Sequence, residues 1–334
     1  MSKPVASILC ITYNHAQFIR RCLESLVSQQ CSFPFEIIIH DDASTDGTQE
    51  VIKEFHQKHP DLIKPILQKE NKWSKNPGVI DVLYNNPQAK GKYIALCEGD
   101  DFWIEHDKLQ KQVDILENHP ECTITCGSYL QIDDGKEQVV LQKKWLIENR
   151  EDEKGRVFEL EDLKHSFFIK TSTTLFRNLP VLFEQFKKYE LCLDMHMFYL
   201  LLRAGKGYYS KEILAGYNIH QEGVYSGSHQ QEILLAQYLI LKDMYEKNGD
   251  EFFRGKYLKL ALSLLNLKSS GLMLQSKSIK QKFLQTRNPS IFKVIKDIKP
   301  VLQTKMERRK FYKSLIPVQV SVLKQKIKSA FTSK

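Results

Sequence analysis

Three carboxylates, Glu98, Asp100 and Asp101, fall within four residues in the stretch Cys97-Glu98-Gly99-Asp100-Asp101-Phe102-Trp103. They follow directly on the apolar run Tyr93-Ile94-Ala95-Leu96. A hydrophobic strand that ends in clustered acids broken by a glycine suits a divalent-metal site at the mouth of a sheet. Hard cations such as Mg²⁺ take carboxylate oxygens and keep positions open for substrate phosphates. Acidic surface loops are common, but this one precedes Phe102-Trp103, and aromatics beside acids need a site to line or a surface to pack on. The chemistry expected is the handling of a phosphorylated substrate.

Three further segments carry candidate groups. Asp41-Asp42-Ala43-Ser44-Thr45-Asp46-Gly47-Thr48 has the look of a calcium loop, but one starting at Asp42 needs Glu at position 53, where Lys53 stands. The segment also follows a strand rather than a helix. It reads either as a strand-to-helix turn, with Asp and Ser satisfying free N–H groups, or as a carboxylate facing the donor groups of a nucleoside. Asp194, in Leu191-Cys192-Leu193-Asp194-Met195-His196, falls at a helix start. It reads equally as an N-cap or as a general base for a hydroxyl nucleophile. His220 follows the apolar run Ile213–Ile219 and is either structural or a metal or phosphate ligand.

The elements that position these groups alternate. Val5–Thr12, Phe35–His40, Ile63–Leu67 and Lys92–Cys97 read as buried strands. Helices are expected over 16–29, with Asn14 as the cap, over 48–59, and over 108–118, stopped by Pro120. Near-continuous apolar strands alternating with helices predict a mostly parallel α/β sheet covered on both faces. Ligands bind such sheets at the carboxyl ends of the strands. Thr12-Tyr13-Asn14, Asp41-Asp42 and Glu98-Asp100-Asp101 all occupy such ends, so they should converge on one cleft. Beyond residue 120, Thr123–Tyr129, Thr173–Phe176 and Ile213–Ile219 read as strands and Asp194–Ala204 as a helix ending at Gly205. After His229 the pattern is helical, over Ile233–Tyr245 and Phe252–Leu267.

Bulk composition narrows the function classes. With 334 residues, 42% hydrophobic and 27% charged, the chain is too apolar for disorder and long enough for one large domain or two. The net charge of +9 is uneven: 271–334 carries 16 Lys/Arg against two acids (+14), leaving 33 bases and 38 acids (−5) in the first 270 residues. The basic character thus belongs to the tail, which argues against a nucleic-acid role for the body. Seven cysteines without metal spacing fit reduced thiols in a cytoplasmic protein. Lys3 and Pro4 lead straight into a strand, with no signal-peptide pattern, and no apolar run approaches the roughly 20 residues of a membrane span. In the tail, Val320, Leu323, Ile327 and Phe331 form an apolar stripe among Lys324, Lys326, Lys328 and Lys334. Such an end suits an anionic membrane surface, at about 1 kcal/mol per basic residue, or equally a solvated or partner-binding helix.

Taken together, the motifs over about 5–225 resemble family 2 glycosyltransferases of the GT-A fold. Ser7-Ile8-Leu9-Cys10-Ile11-Thr12-Tyr13-Asn14 is similar to that family's first strand and Thr-Tyr-Asn signature, and Asp41–Thr48 to its Asp-Asp-x-Ser-x-Asp-x-Thr motif. Glu98-Gly99-Asp100-Asp101 is similar to its metal-binding Asp-x-Asp motif, with Glu98 in place of the first aspartate. Tyr217-Asn218-Ile219-His220 resembles the Tyr-Arg-x-His segment that closes the donor site, with Asn218 for arginine; Asn71-Lys72-Trp73 lacks the glycine of the family's Asn-x-Gly.

The resemblance implies an inverting transfer from a nucleotide-diphosphate sugar, a UDP-sugar foremost, to the hydroxyl of a carbohydrate or lipid-linked acceptor, in bacterial cell-surface polysaccharide or glycolipid synthesis. It implies Asp194 as catalytic base, although Leu193 replaces the usual preceding acid. Thr12, Tyr13, Asn14, Asp42 and Asp100 would hold the nucleotide. Asp101, Asp100, Glu98 and His220 would hold Mn²⁺ or Mg²⁺. It further implies a catalytic domain over 1–228, with a nucleotide half (1–120) and an acceptor half (121–228), a helical, basic extension over 229–334, and a cytoplasmic location, at the inner membrane face if the tail binds lipid. Two alternatives compete. A sugar nucleotidyltransferase would carry a Gly-rich basic phosphate loop near the N-terminus, and Thr12–Arg21 has no glycine. A non-catalytic sugar-binding or scaffold protein would not need Glu98, Asp100, Asp101 and Asp194 together.

Overall fold

The computed structural model describes residues 3–72, 88–140, 154–164, 167–186, 188–189, 193–221, 230–269 and 294. The basic tail, with its apolar stripe, lies outside the described residues, as do Trp73 and the 222–229 segment. The chain divides into two compact units, Met1–Lys188 with Cys192–Gln221, and Tyr189–Leu191 with Glu222–Lys334.

The first unit is built on one mixed sheet. In chain order its strands are β1 (Ala6–Thr12), β2 (Phe35–Asp41), β3 (Ile63–Leu67), β4 (Tyr93–Glu98), β5 (Phe102–Trp103), β6 (Cys122–Asp133), β7 (Lys136–Val140), β8 (Gly155–Phe158), β9 (Leu175–Arg177) and β10 (Lys206–Ile219). The spatial order is β3-β2-β1-β4-β9-β6-β10-β5, with β7 beside β6 and β8 beside β10. The first four strands pair in parallel, as do β6 and β10; β9 runs antiparallel between β4 and β6 and joins the two parallel sets. Helices α1 (Ile19–Val27), α2 (Thr48–Lys58), α3 (Lys108–Asn118), α4 (Pro180–Phe186) and α5 (Asp194–Ala204) belong to the same unit.

The apolar strand runs are buried as their composition requires: Ile8, Ile37, Ile39 and Ala95 are fully inaccessible. Helix α1 presents Ile19, Cys22, Leu23 and Leu26 to this core, one stripe at helical spacing. Helix α3 ends before Pro120, which disfavours helical geometry in the residue preceding it. The cysteines within the described residues are all free thiols.

Register aligns the functional strand ends. Thr12 pairs with Asp41, and Ile11 pairs with Glu98. The short strand β5 was not expected. It forms because Phe102 and Trp103 pair with Gly216 and Ala215 of β10, a contact more than a hundred residues away in sequence. Gly216 is required there: a Cβ would lie 2.1 Å from the Phe102 ring.

The second unit contains α6 (Gln230–Asn248) and α7 (Glu251–Ser269), separated by Gly249 in the left-handed region (φ 63°). The two helices pack through Tyr238, Tyr245 and Tyr257, whose rings lie 5.7–6.0 Å apart. Asp250 caps α7 by accepting the Phe252 N–H at 2.9 Å. Among the described residues no helix is long and apolar enough to cross a membrane.

Candidate functional site

The loop after β1 and the loop after β2 are woven together. Asn14 adopts a left-handed conformation (φ 53°), its N–H donates to Ser44 Oγ at 2.8 Å, and its side-chain carbonyl accepts the Thr45 N–H at 2.9 Å. Asn14 therefore does not cap α1, as expected from sequence. That helix starts only at Ile19, because residues 14–16 are spent on this lacing. Asp46 accepts the Ala16 N–H at 2.9 Å and both the N–H and the hydroxyl of Thr48, and the Thr48 hydroxyl oxygen accepts the His15 N–H at 2.9 Å. Asp41 is consumed by Ser44 and by Gln49.

Asp42 is buried, accepts the Lys72 N–H at 2.7 Å, and donates its own N–H to the Thr12 carbonyl at 3.0 Å. Two adjacent aspartates thus divide their roles: Asp41 holds the turn, and Asp42 stands at the strand end. Tyr13 is the exposed aromatic of this rim, 41% accessible.

At the end of β4 the acids separate. Asp100 turns towards two imidazoles: its Oδ2 lies 3.0 Å from His220 Nε2 and 3.8 Å from His15 Nε2. These three residues present their ligand atoms within 4.8 Å of one another, the spacing of a metal site. Burial opposes ionisation of Asp100, but the His220 hydrogen bond and the charges of both histidines outweigh it and hold the carboxyl below its ordinary value.

Asp101 faces elsewhere. It is 2% accessible and accepts the Asn218 N–H at 3.2 Å, so it pins the 217–220 segment instead of joining the cluster. Asn218 adds a second tie through its side-chain amide to the Asp100 carbonyl, at 2.5 Å. Burial, reinforced by the charges of Asp100 and Glu98, raises Asp101 well above the usual carboxylate range. Glu98 is pushed up to about 7, mainly by burial, against the charge of Lys170. Its Oε2 and the Thr12 Oγ1 are buried and have no hydrogen-bond partner among the described residues. Of the four expected ligands, then, Asp100 and His220 meet in the cluster, and Glu98 and Asp101 lie beside it.

His15 was not foreseen. A lone histidine after Thr-Tyr-Asn carries no spacing signal, and its one clue is that it leaves the same strand end as Thr12. Gly99 makes the approach possible. Its N–H donates to the Ile11 carbonyl at 2.7 Å, and a Cβ there would stand 2.6 Å from Thr12 Oγ1 and 3.1 Å from His15 Nδ1. Gly99→Ala should therefore displace both residues, and overpacking should cost about 1–3 kcal/mol of stability in a denaturation curve. Unchanged stability would contradict the tight approach of β4 to the His15 loop.

Asp194 is the first residue of α5. Its Oδ1 accepts the Met195 N–H at 2.8 Å, and its Oδ2 accepts the Thr171 hydroxyl at 3.3 Å. Burial raises its pKa, opposed by the Met195 N–H, the Lys170 charge and the Thr171 hydroxyl. The charges of Asp100 and Asp194 both bear on Glu98 and help raise it, so the β4 end and the α5 start lie near one another. Thr171 belongs to a 3-10 turn, Thr171–Thr173, which is held by Trp103 Nε1 on the Ser172 carbonyl at 3.0 Å and by Gln112 Nε2 on the Thr173 carbonyl at 2.8 Å. Beneath them the buried Lys108 donates to Gln112 at 2.7 Å and lies 3.7 Å from the centre of the Trp103 ring.

The chain matches the family model described as Glycosyl transferase family 2 over residues 7–179. It is 32% identical over 226 residues to an uncharacterised protein of Mycobacterium tuberculosis, covering 67% of this chain and 61% of that protein. The chain thus spans about three fifths of the length of its mycobacterial relatives. It is 31% identical over 136 residues (40% of this chain, 50% of the relative) to TuaG of Bacillus subtilis, by name a glycosyltransferase of teichuronic acid biosynthesis. Among solved structures, residues 1–349 of Staphylococcus aureus TarS with UDP-GlcNAc superpose with a TM-score of 0.58 at 17% identity, over 92% of this chain and 88% of that one. The Pyrobaculum calidifontis mannosyltransferase PcManGT with GDP-Man and Mn²⁺ gives 0.52 at 13% identity, over 97% and 88%. At these identities the structural likeness establishes the GT-A fold.

Proposed function

Because the chain belongs to glycosyl transferase family 2, we propose that it moves a sugar from a UDP-sugar to an acceptor hydroxyl with inversion at the anomeric carbon. The observation that carries this reading is the closure of His220 and His15 on Asp100 at the same sheet edge as Asp42, with the charge of Asp194 acting across Glu98. The name of TuaG and the UDP-GlcNAc bound to TarS support a nucleotide-sugar donor and a role in cell-surface polysaccharide synthesis. The acceptor is a carbohydrate or a lipid-linked glycan. Residues 1–228 form the catalytic region, with the donor half over 1–120 and the acceptor half over 121–228; 229–334 is an extension.

Asp42 receives donor groups of the nucleoside base, and Tyr13 offers it an exposed ring. The Thr12 Oγ1 and Glu98 Oε2, buried and without hydrogen-bond partners among the described residues, suit ribose hydroxyls. Asp100, His220 and His15 suit a divalent cation that keeps open positions. Two imidazoles with one carboxylate favour Mn²⁺ over Mg²⁺, which prefers oxygen ligands throughout. When bound, the cation supplies positive charge to the departing diphosphate. Asp194 accepts the proton of the attacking hydroxyl at a carboxylate oxygen, while Thr171 and the Met195 N–H fix its orientation.

The reaction should therefore lose rate as pH falls through a value above aspartate's ordinary one, because Asp194 must be ionised to act and burial raises its pKa. The acid limb of kcat/KM against pH measures this; a limb at an unperturbed carboxylate pKa would contradict Asp194 as the base. Thermal-shift screening of UDP-, GDP- and dTDP-sugars with Mn²⁺ tests the donor. Stabilisation by UDP-sugars alone is expected, and no response to any would defeat the reading.

A further inference from the structure

We propose that the Lys170 ammonium is a second cationic contact for the donor's diphosphate, independent of the His15–Asp100–His220 cluster. The inference rests on the nucleotide-sugar reading above. It begins from a half-buried cation. Among the described residues, no carboxylate lies within ion-pair distance of Lys170, and its ammonium makes no hydrogen bond there. It rests instead on the face of the Tyr217 ring, 3.0 Å from the centroid.

The surroundings explain why a cation is needed. Glu98, Asp101 and Asp194 all feel the Lys170 charge, as does Tyr129. Asp100 and Asp194 add negative charge beside Glu98, where a polyanionic diphosphate must come, and like charges in a desolvated site repel strongly. His15 and His220 are committed to Asp100. Asn218, next to the ring that seats Lys170, carries no charge and spends its amide on the Asp100 carbonyl. Among these groups Lys170 is the cation left for phosphate oxygens, in the role of a point charge.

Its placement is rigid, as a ligand contact requires. The Lys170 carbonyl accepts the Thr173 N–H at 3.0 Å and the Thr173 hydroxyl at 2.7 Å. The turn that follows is fixed by Trp103 and Gln112, themselves braced by the buried Lys108. The same turn carries Thr171, which orients Asp194, so one element sets both the base and the cation.

Calorimetry with UDP and with UMP, each with Mn²⁺, tests this on the full chain. Lys170→Met should weaken UDP binding roughly 10- to 100-fold, the worth of a hydrogen bond to a charged group. UMP, which lacks the β-phosphate, should bind the variant nearly as well as the unaltered protein, and Lys170→Arg should restore most of the UDP affinity. Unchanged UDP affinity, or equal losses for UDP and UMP, would overturn the assignment. If the unaltered protein bound neither nucleotide, the nucleotide-sugar reading itself would fall, and this inference with it.

Discussion

Asp194→Asn is expected to cut sugar transfer by about 10²–10⁴-fold, the usual contribution of a positioned general base, and to leave UDP binding intact. The substitution keeps the size of the side chain. It also keeps a carbonyl oxygen for the Met195 N–H, and its amide N–H can donate to the Thr171 hydroxyl oxygen, so α5 should still start where it does. What it removes is the ability to accept a proton. The environment makes that ability costly: burial favours the neutral acid, and only the Met195 N–H, Lys170 and Thr171 hold the carboxyl towards ionisation. A group kept ionised against burial suits proton transfer, whereas a cap alone would need no such support. Steady-state turnover with calorimetry on the same variant separates the two roles. Normal turnover would leave Asp194 as a cap.

Asp100→Ala should abolish the Mn²⁺ dependence of donor binding. Altering only the groups around a metal ligand costs about 10–100-fold in metal affinity, and removing a ligand costs at least that. Asp100 is the sole carboxylate in the cluster, and both imidazoles converge on its Oδ2. Without it, the two imidazoles provide no negative charge to hold a hard cation. Asp101→Ala should act differently, since its carboxylate holds the Asn218 N–H: it should loosen the 217–220 segment and lower stability. Titrating Mn²⁺ into each variant, with denaturation curves alongside, distinguishes loss of a ligand from loss of a brace. Equal metal affinity in Asp100→Ala and the unaltered protein would remove the cluster from the account.

Much of this was legible in the sequence because it is local. The apolar runs of β1 to β4 and the acids at their ends follow from alternation and strand length, and Asp194–Ala204 ends at Gly205 as its pattern dictates. What was not legible depends on contacts distant in sequence. Asp100 and Asp101 are neighbours of like type, and their separation into a cluster member and a backbone brace comes from the pairing of β5 with β10, which delivers Asn218 and His220. His15 joins Asp100 only because Gly99 lets β4 close on the loop after β1. Asn14 reads locally as a helix cap, but the Asp41–Thr48 loop competes for it and wins with two hydrogen bonds. Lys170 gave no motif signal, and its setting exists only once the 3-10 turn is docked on Trp103 and Gln112.

The central claim, a metal-assisted inverting sugar transfer, is tested most directly by following one reaction by NMR, with a UDP-sugar, Mn²⁺ and a pool of acceptor glycans. The account predicts that the donor's anomeric signal decays as UDP appears, that the new linkage has the opposite anomeric configuration, and that chelating the Mn²⁺ stops both. A donor that stays intact with every acceptor, while UDP still binds, would contradict it and make the protein a sugar-nucleotide-binding module.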